Sequence, residues 1–276
     1  MQVQLLGPVC LRGRTGPVRS VPGRARSLLA ALAWQPAEFV PDEVLIERIW
    51  GEATPRDPRD ALYTAAKRLR RTAAEVSRDP LVRRRGGYVL EAEPQRVDLY
   101  RFRALVGAAR EADDDVRRSR LYAQALRLWT GPPLADLAGR WAGGAREALA
   151  FERLAARIAT IETSLRLGRP AEVAPLLVGL MSENPLNERL AALLMLALYL
   201  SGQRAEALAW YTRVRTGLVE ALGDEPGVPL KDLHTRILRD DPALRAAAPL
   251  LGIGPEESRR PVTPWSGARP APRAAG

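Results

Sequence analysis

Apolar positions along this chain change their spacing once, near residue 97. Before that point short alternating runs are mixed with amphipathic helical stretches, and beyond it the spacing is helical almost throughout. Residues 2–6 (QVQLL) and 17–21 (PVRSV) alternate as two short strands, flanking a turn over 13–16. Leu28, Leu29, Leu32 and Ala33 then share one side of a helix expected over 24–34 and ended by Pro36. A second helix is expected to start at Pro41-Asp42, with Asp42 as candidate N-cap and Val44, Leu45, Ile46 and Ile49 in the core. Trp50-Gly51 closes it, and 52–58 reads as a Pro-interrupted loop.

The next helix is the most informative. With Leu62 at zero on a wheel of ~100° per residue, Ala66, Leu69, Ala73 and Val76 fall within roughly 40° of it. Asp60, Thr64, Lys67, Arg71 and Arg78 lie opposite, with Tyr63 and Arg68 on the flanks. Asp60 reads as a helix cap in preference to a base contact. Segments 81–85 and 88–91 then form a hairpin about Gly86-Gly87, with Arg83, Arg84 and Arg85 at its mouth. Strands, three helices and a basic hairpin are the parts of a winged helix-turn-helix, in which a helix reads the major groove and the wing holds phosphates.

Beyond Asp98 the spacing predicts helices over 98–112, from 113–115 to about 129, 142–167, 171–182, 188–200, 205–222 and 230–238. Two junctions repeat. Leu167-Gly168-Arg169-Pro170-Ala171-Glu172 returns 34 residues later as Ser201-Gly202-Gln203-Arg204-Ala205-Glu206, the period of a tetratricopeptide array. The first helix pair is interrupted by 131–141. The expected fold is an α+β winged helix-turn-helix domain (1–92) followed by an all-α tetratricopeptide-like helical domain (97–240). The Pro-, Arg-, Ala- and Gly-rich tail (255–276) is expected to be disordered.

Charge follows the same division. Residues 1–90 carry 16 Lys and Arg against 9 Asp and Glu, whereas 91–240 carry 21 against 20. The excess therefore belongs to the first third, which favours a polyanion partner there. A single cysteine, Cys10, excludes an intrachain disulfide and any cysteine-based zinc site. The lone His234 reads as structural, so neither metal nor cofactor is expected. No phosphate-cradling glycine loop or nucleophile elbow occurs, and nothing marks the chain as an enzyme. The most apolar run, 190–200, is too short to span a bilayer, and there is no secretory signal, so a cytoplasmic, nucleoid-associated location is expected.

Thr64, Lys67, Arg68 and Arg71 are the candidate base-reading residues, since Lys and Arg suit guanine and Thr suits a thymine methyl. Arg59, Arg70, Arg83, Arg84, Arg85 and Tyr88 are candidates for phosphate contacts, although three consecutive strand arginines alternate sides and cannot all face DNA. Residues 1–96 alone are expected to retain DNA binding.

Several stretches carry a family likeness. These are LLGPV, PGRARSLLAALAWQPAEFVPDEVLIERIWG, DALYTAAKRLRR, RRRGGYVLE, VDLYRF, LRLWTGPPLADL and LVEALGDEPGVPLKDLHTRIL. In order and spacing, over about 2–240, the chain resembles the Streptomyces antibiotic regulatory protein family, in its small form without ATPase or sensor regions. The resemblance implies an OmpR-type winged helix and a bacterial transcriptional activator domain. It also implies an activator of a secondary-metabolite gene cluster, binding direct repeats near the −35 region as a homodimer and recruiting RNA polymerase holoenzyme. Trp50, Gly51, Glu52 and Thr54 then become the polymerase-contact loop. Asp60 and Lys67 depart from the residues common in that family, so the base preference here is expected to differ. A repressor of the same fold and a helical-repeat scaffold for protein partners are the alternatives.

Overall fold

A computed structural model describes residues 1–13, 18–76 and 80–246. Most of the turn expected over 13–16, Arg78 and the tail lie outside these residues. Strands β1 (Gln2–Gln4), β2 (Cys10–Arg12) and β3 (Val18–Ser20) form an antiparallel sheet in that order. Two strands were expected here. The third, β2, continues the apolar run Val9-Cys10-Leu11, which carries no alternation.

Helix α1 (Gly23–Ala33) buries Leu28, Leu29, Leu32 and four alanines. Strand β4 (Phe39–Pro41) is apolar without alternation and joins β5 (Leu81–Arg84) and β6 (Gly87–Leu90) in a second sheet of order β4-β6-β5. Arg84 pairs with Gly87, so the hairpin turn is Arg85-Gly86 and not Gly86-Gly87. Gly86 supplies the positive φ of +78°. Gly87 is required for a different reason: a Cβ there would stand 2.3 Å from the carbonyl oxygen of Val40.

Helices α2 (Asp42–Trp50) and α3 (Pro58–Ala74) pack on α1 and complete the winged helix-turn-helix. Leu45 and Ile49 of α2 are buried, whereas Val44, expected in the core, is 37% exposed. Asp42 is not the cap of α2. It is the helix's first residue, and its carboxylate is turned toward the hairpin instead.

The rest is helical: α4 (Asp98–Glu111), α5 (Asp115–Leu126), α6 (Arg140–Arg166), α7 (Pro170–Glu183), α8 (Glu188–Leu200), α9 (Arg204–Leu222), α10 (Val228–Leu238) and α11 (Pro242–Ala246). Asp114 and Asn187 cap α5 and α8 through their side chains. The 34-residue repeat is visible in backbone geometry. After α6, Gly168 (φ +71°) and Arg169 donate to Leu165 and Ser164. After α8, Gly202 (φ +80°) and Gln203 donate to Tyr199 and Leu198. Both are the same left-handed helix closure. His234 stacks on Tyr211 with ring centroids 3.8 Å apart, a packing role. No described helix is long and apolar enough to cross a membrane.

The chain divides into two compact units, Met1–Gly179 and a second beginning at Leu180. The first runs through the junction at 92–97 without a break in packing. Val3 bridges to Val97, and the Asp98 carboxylate accepts the backbone N–H groups of Leu5 and Leu6 at 2.8 and 3.0 Å. Asp136 accepts from Val9 at 3.0 Å and pairs with Arg26 at 2.6 Å. Tyr100 donates to the Trp34 carbonyl at 2.7 Å, and the Trp34 and Trp141 rings meet edge to face at 5.7 Å. These contacts tie the winged helix to α4, α6 and the segment between α5 and α6.

Candidate nucleic-acid interface

Local chemistry fixes where α3 begins. Asp57 accepts the backbone N–H of Asp60 at 3.1 Å, and Pro58 occupies the first turn, where its missing N–H is no loss. Asp57, not Asp60, is therefore the cap. The Asp60 carboxylate stands exposed on the outer face, one turn before Thr64. Leu62, Ala65, Ala66, Leu69 and Ala73 are buried, and the three alanines leave little side chain between α3 and the helices beneath it.

The opposite face carries the reading candidates. Thr64, Lys67, Arg68 and Arg71 are all exposed, with spacings that place them along one side of the helix. Tyr63, 59% exposed, stands beside them. Arg59, at the start of the same helix, is exposed and donates to Glu43 of α2 at 3.3 Å.

The wing divides its arginines. Arg84 and Arg85 are exposed at the tip of the hairpin. Arg83 forks onto Asp42, its two terminal nitrogens 2.5 and 2.8 Å from the carboxylate oxygens, and also donates to the Gly87 carbonyl at 3.1 Å. Its guanidinium lies 4.5 Å from the centre of the Tyr88 ring. The Asp42 hydrogen bond holds the arginine's pKa above its ordinary range. Arg70 is half-buried, donates to the Leu81 carbonyl at 3.3 Å and sits 6.0 Å from the same ring.

Tyr88 is 2% exposed, and burial raises the pKa of its hydroxyl. It is a core residue under the wing, which removes it from the phosphate candidates. All four residues of β6 are buried, and β6 is the middle strand with β4 and β5 on either side. Of the six phosphate candidates, Arg59, Arg84 and Arg85 present exposed cations; Arg83, its side chain 45% exposed, is paired with Asp42, and Arg70 directs a nitrogen to the Leu81 carbonyl.

In the loop between α2 and α3, Trp50 is half-buried against the core, and Gly51 ends α2 with φ +52°. Residues Gly51–Ala53 form one 3-10 turn. Glu52 and Thr54 are exposed, and Thr54 donates its hydroxyl to the Gly51 carbonyl at 2.6 Å. Asp42 is one of the residues that local reasoning misplaced. Its partner lies 41 positions away, so no local pattern could reveal the pairing.

Comparison with known proteins accounts for most of the chain. Residues 97–238 match the family model described as the bacterial transcriptional activator domain. Regulatory protein DnrI of Streptomyces peucetius is 33% identical over 262 residues, spanning 90% of this chain and 96% of that protein. Transcriptional regulator RedD of Streptomyces coelicolor is 35% identical over 264 residues, spanning 91% of this chain and 74% of its own. A structure of Mycobacterium tuberculosis EmbR, solved with a low affinity phosphopeptide, superimposes with a TM-score of 0.82 at 30% identity. It covers 90% of this chain and 69% of EmbR. These relatives are named as regulators and not as enzymes. A basic winged helix, followed by helices that match the activator domain, places the chain with them: it belongs to the bacterial transcriptional activator domain family and is a transcriptional regulator of the Streptomyces antibiotic regulatory protein type.

Proposed function

We propose that this regulator is an activator that binds double-stranded DNA through α3 and the wing, and that it controls a secondary-metabolite gene cluster. Thr64, Lys67, Arg68 and Arg71 read base edges in the major groove, while Arg59, Arg84 and Arg85 hold flanking phosphates. The observation that carries the reading is the sidedness of α3. Every base-reading candidate is exposed, while Leu62, Ala66 and Leu69 on the other side are buried. The site is a direct repeat near the −35 region, occupied by two copies of the chain. RNA polymerase holoenzyme is recruited through Trp50, Gly51, Glu52 and Thr54 and through the helical region beyond residue 97.

The experiment pairs two assays on the full chain. A mobility shift compares a repeat-containing promoter duplex with a scrambled duplex at two salt concentrations, and in vitro transcription follows from the same promoter. Preference for the repeat, weakening steeply with salt, together with a rise in transcript supports the reading. Equal affinity for both duplexes contradicts the reading face, and a fall in transcript makes the protein a repressor.

A further inference from the structure

We infer that Asp42 is a positioning residue for DNA binding: it acts through Arg83 to hold the wing where Arg84 and Arg85 can reach phosphate. The inference rests on the DNA-binding reading above.

The first two residues of α2 are both acidic, and each holds an arginine of a different DNA-facing element. Asp42, 4% exposed, takes both arms of Arg83 from β5. Glu43 takes Arg59 from the start of α3. The link to the wing is doubled by the backbone, since the Asp42 N–H donates to the Gly86 carbonyl at 2.9 Å, inside the hairpin turn. Arg83 is itself fixed from three sides, by the carboxylate, by the Gly87 carbonyl and by the Tyr88 ring beneath it.

β6 is held by β4 as far as Gly87, whereas β5, which carries Arg83 and Arg84, is an edge strand paired on one side only. Here its approach to α2 is set by a fork whose planar geometry lysine cannot reproduce. Arg83 then contributes no phosphate contact of its own. It fixes the direction of the next two side chains, Arg84 and Arg85.

The sign of one substitution separates this account from simple electrostatics. Asp42→Asn removes a negative charge near a polyanion-binding face, and on charge alone DNA binding would tighten. If Asp42 positions the wing, binding weakens instead. The loss of both tip contacts lowers the slope of log affinity against log salt by about 1.8, or roughly thirtyfold in affinity at about 0.15 M salt. Arg83→Lys keeps the charge and loses the fork, so it is expected to weaken binding in the same way. A phosphate-contacting Arg83 would leave the lysine variant with most of its slope.

The deciding measurement is a double-mutant cycle on the full-length chain, read by fluorescence anisotropy with one labelled duplex. In a background of Arg84→Ala with Arg85→Ala, Asp42→Asn and Arg83→Lys are expected to have no further effect on affinity. Binding by Asp42→Asn that is unchanged or tighter overturns the inference, as does an equal loss in both backgrounds. Should Asp42→Asn fail to fold, as judged by circular dichroism, Arg83→Lys carries the same cycle alone. A wild-type chain with no salt-dependent binding refutes the DNA-binding reading itself, a result distinct from either of these.

Discussion

Asp98, the first residue of α4, receives the backbone N–H of Leu5 through a 2.8 Å hydrogen bond that spans 93 positions of sequence. The same carboxylate accepts from Leu6 and from Leu99. The turn between β1 and β2 is thus held by a residue outside the expected winged-helix segment. Thr130 and Leu134 donate to the carbonyls of Leu6 and Leu5 on the same turn.

That arrangement changes the expectation for a fragment ending at residue 96. Cutting there removes Asp98 and Asp136, the acceptors for the N–H groups of the β1–β2 turn, and exposes the apolar surface of Val3, Leu5 and Leu6, at about 25 cal/mol per Å². Thermal unfolding of fragments 1–96 and 1–168 is expected to show a cooperative transition only for the longer one. Equal melting of the two would show that the winged helix stands alone.

Burial raises the Asp98 carboxyl to about 6 from an ordinary 3.8, outweighing the three backbone donors that favour its charged form. The folded chain therefore binds this proton more tightly than the unfolded chain. The resulting stabilisation is fully present below about pH 4 and is lost as pH rises through about 6. Denaturant unfolding of the wild type and of Asp98→Asn across pH 4 to 7 is the check. The difference in stability between them is expected to move against the wild type as pH rises through that window, then level off. A difference independent of pH would contradict the assignment.

Arg71 is exposed on the reading face, so Arg71→Ala should leave the melting temperature in place. Affinity for a cognate duplex is expected to fall by about 1–3 kcal/mol, with a smaller change on scrambled DNA. Titration of both duplexes measures this directly, and a uniform loss on both would make Arg71 a phosphate contact.

Tyr88→Phe tests the correction to the wing. The buried ring is retained and only the hydroxyl goes, so DNA affinity and its salt slope are expected to be unchanged. A drop in slope of about 0.9 would restore Tyr88 as a phosphate contact.

Gly168 and Gly202 have open space where a Cβ would stand, so alanine at either costs only its unfavourable backbone conformation, about 1 kcal/mol. Gly87→Ala is expected to cost more, because its Cβ would press on the Val40 carbonyl. Melting temperatures of the three variants give the order. Similar shifts for all three would contradict the steric reading of Gly87.

How much of this could be read from sequence depended on the range of the interaction. Helix α8 was legible to the residue, because its cap Asn187, its apolar run and its closing Gly202 are all local signals. The buried stripe and exposed face of α3 were legible for the same reason, since periodicity alone assigns them. Strands β2 and β4 lie in the runs Val9-Cys10-Leu11 and Phe39-Val40-Pro41, which are apolar without alternation, so no strand period marks them. Asp42 and Tyr88 were misplaced because their surroundings are set across the fold, and the pairing of Arg83 with Asp42 was hidden for the same reason. The alternation rule said that three successive wing arginines could not all face DNA, but not which one would pair with Asp42. The expected boundary at 92–97 marks a real change in pattern, yet Asp98 and Asp136 bind back across it, which a pattern cannot show.

The central claim is that the outer face of α3 reads sequence. The most direct test is selection of duplexes from a random-sequence library by the full-length chain, in parallel with a Lys67→Ala, Arg71→Ala double variant of unchanged melting temperature. The wild type is expected to enrich a defined direct repeat that the variant fails to enrich. Enrichment of the same motif by both proteins, or of none by the wild type, would contradict it.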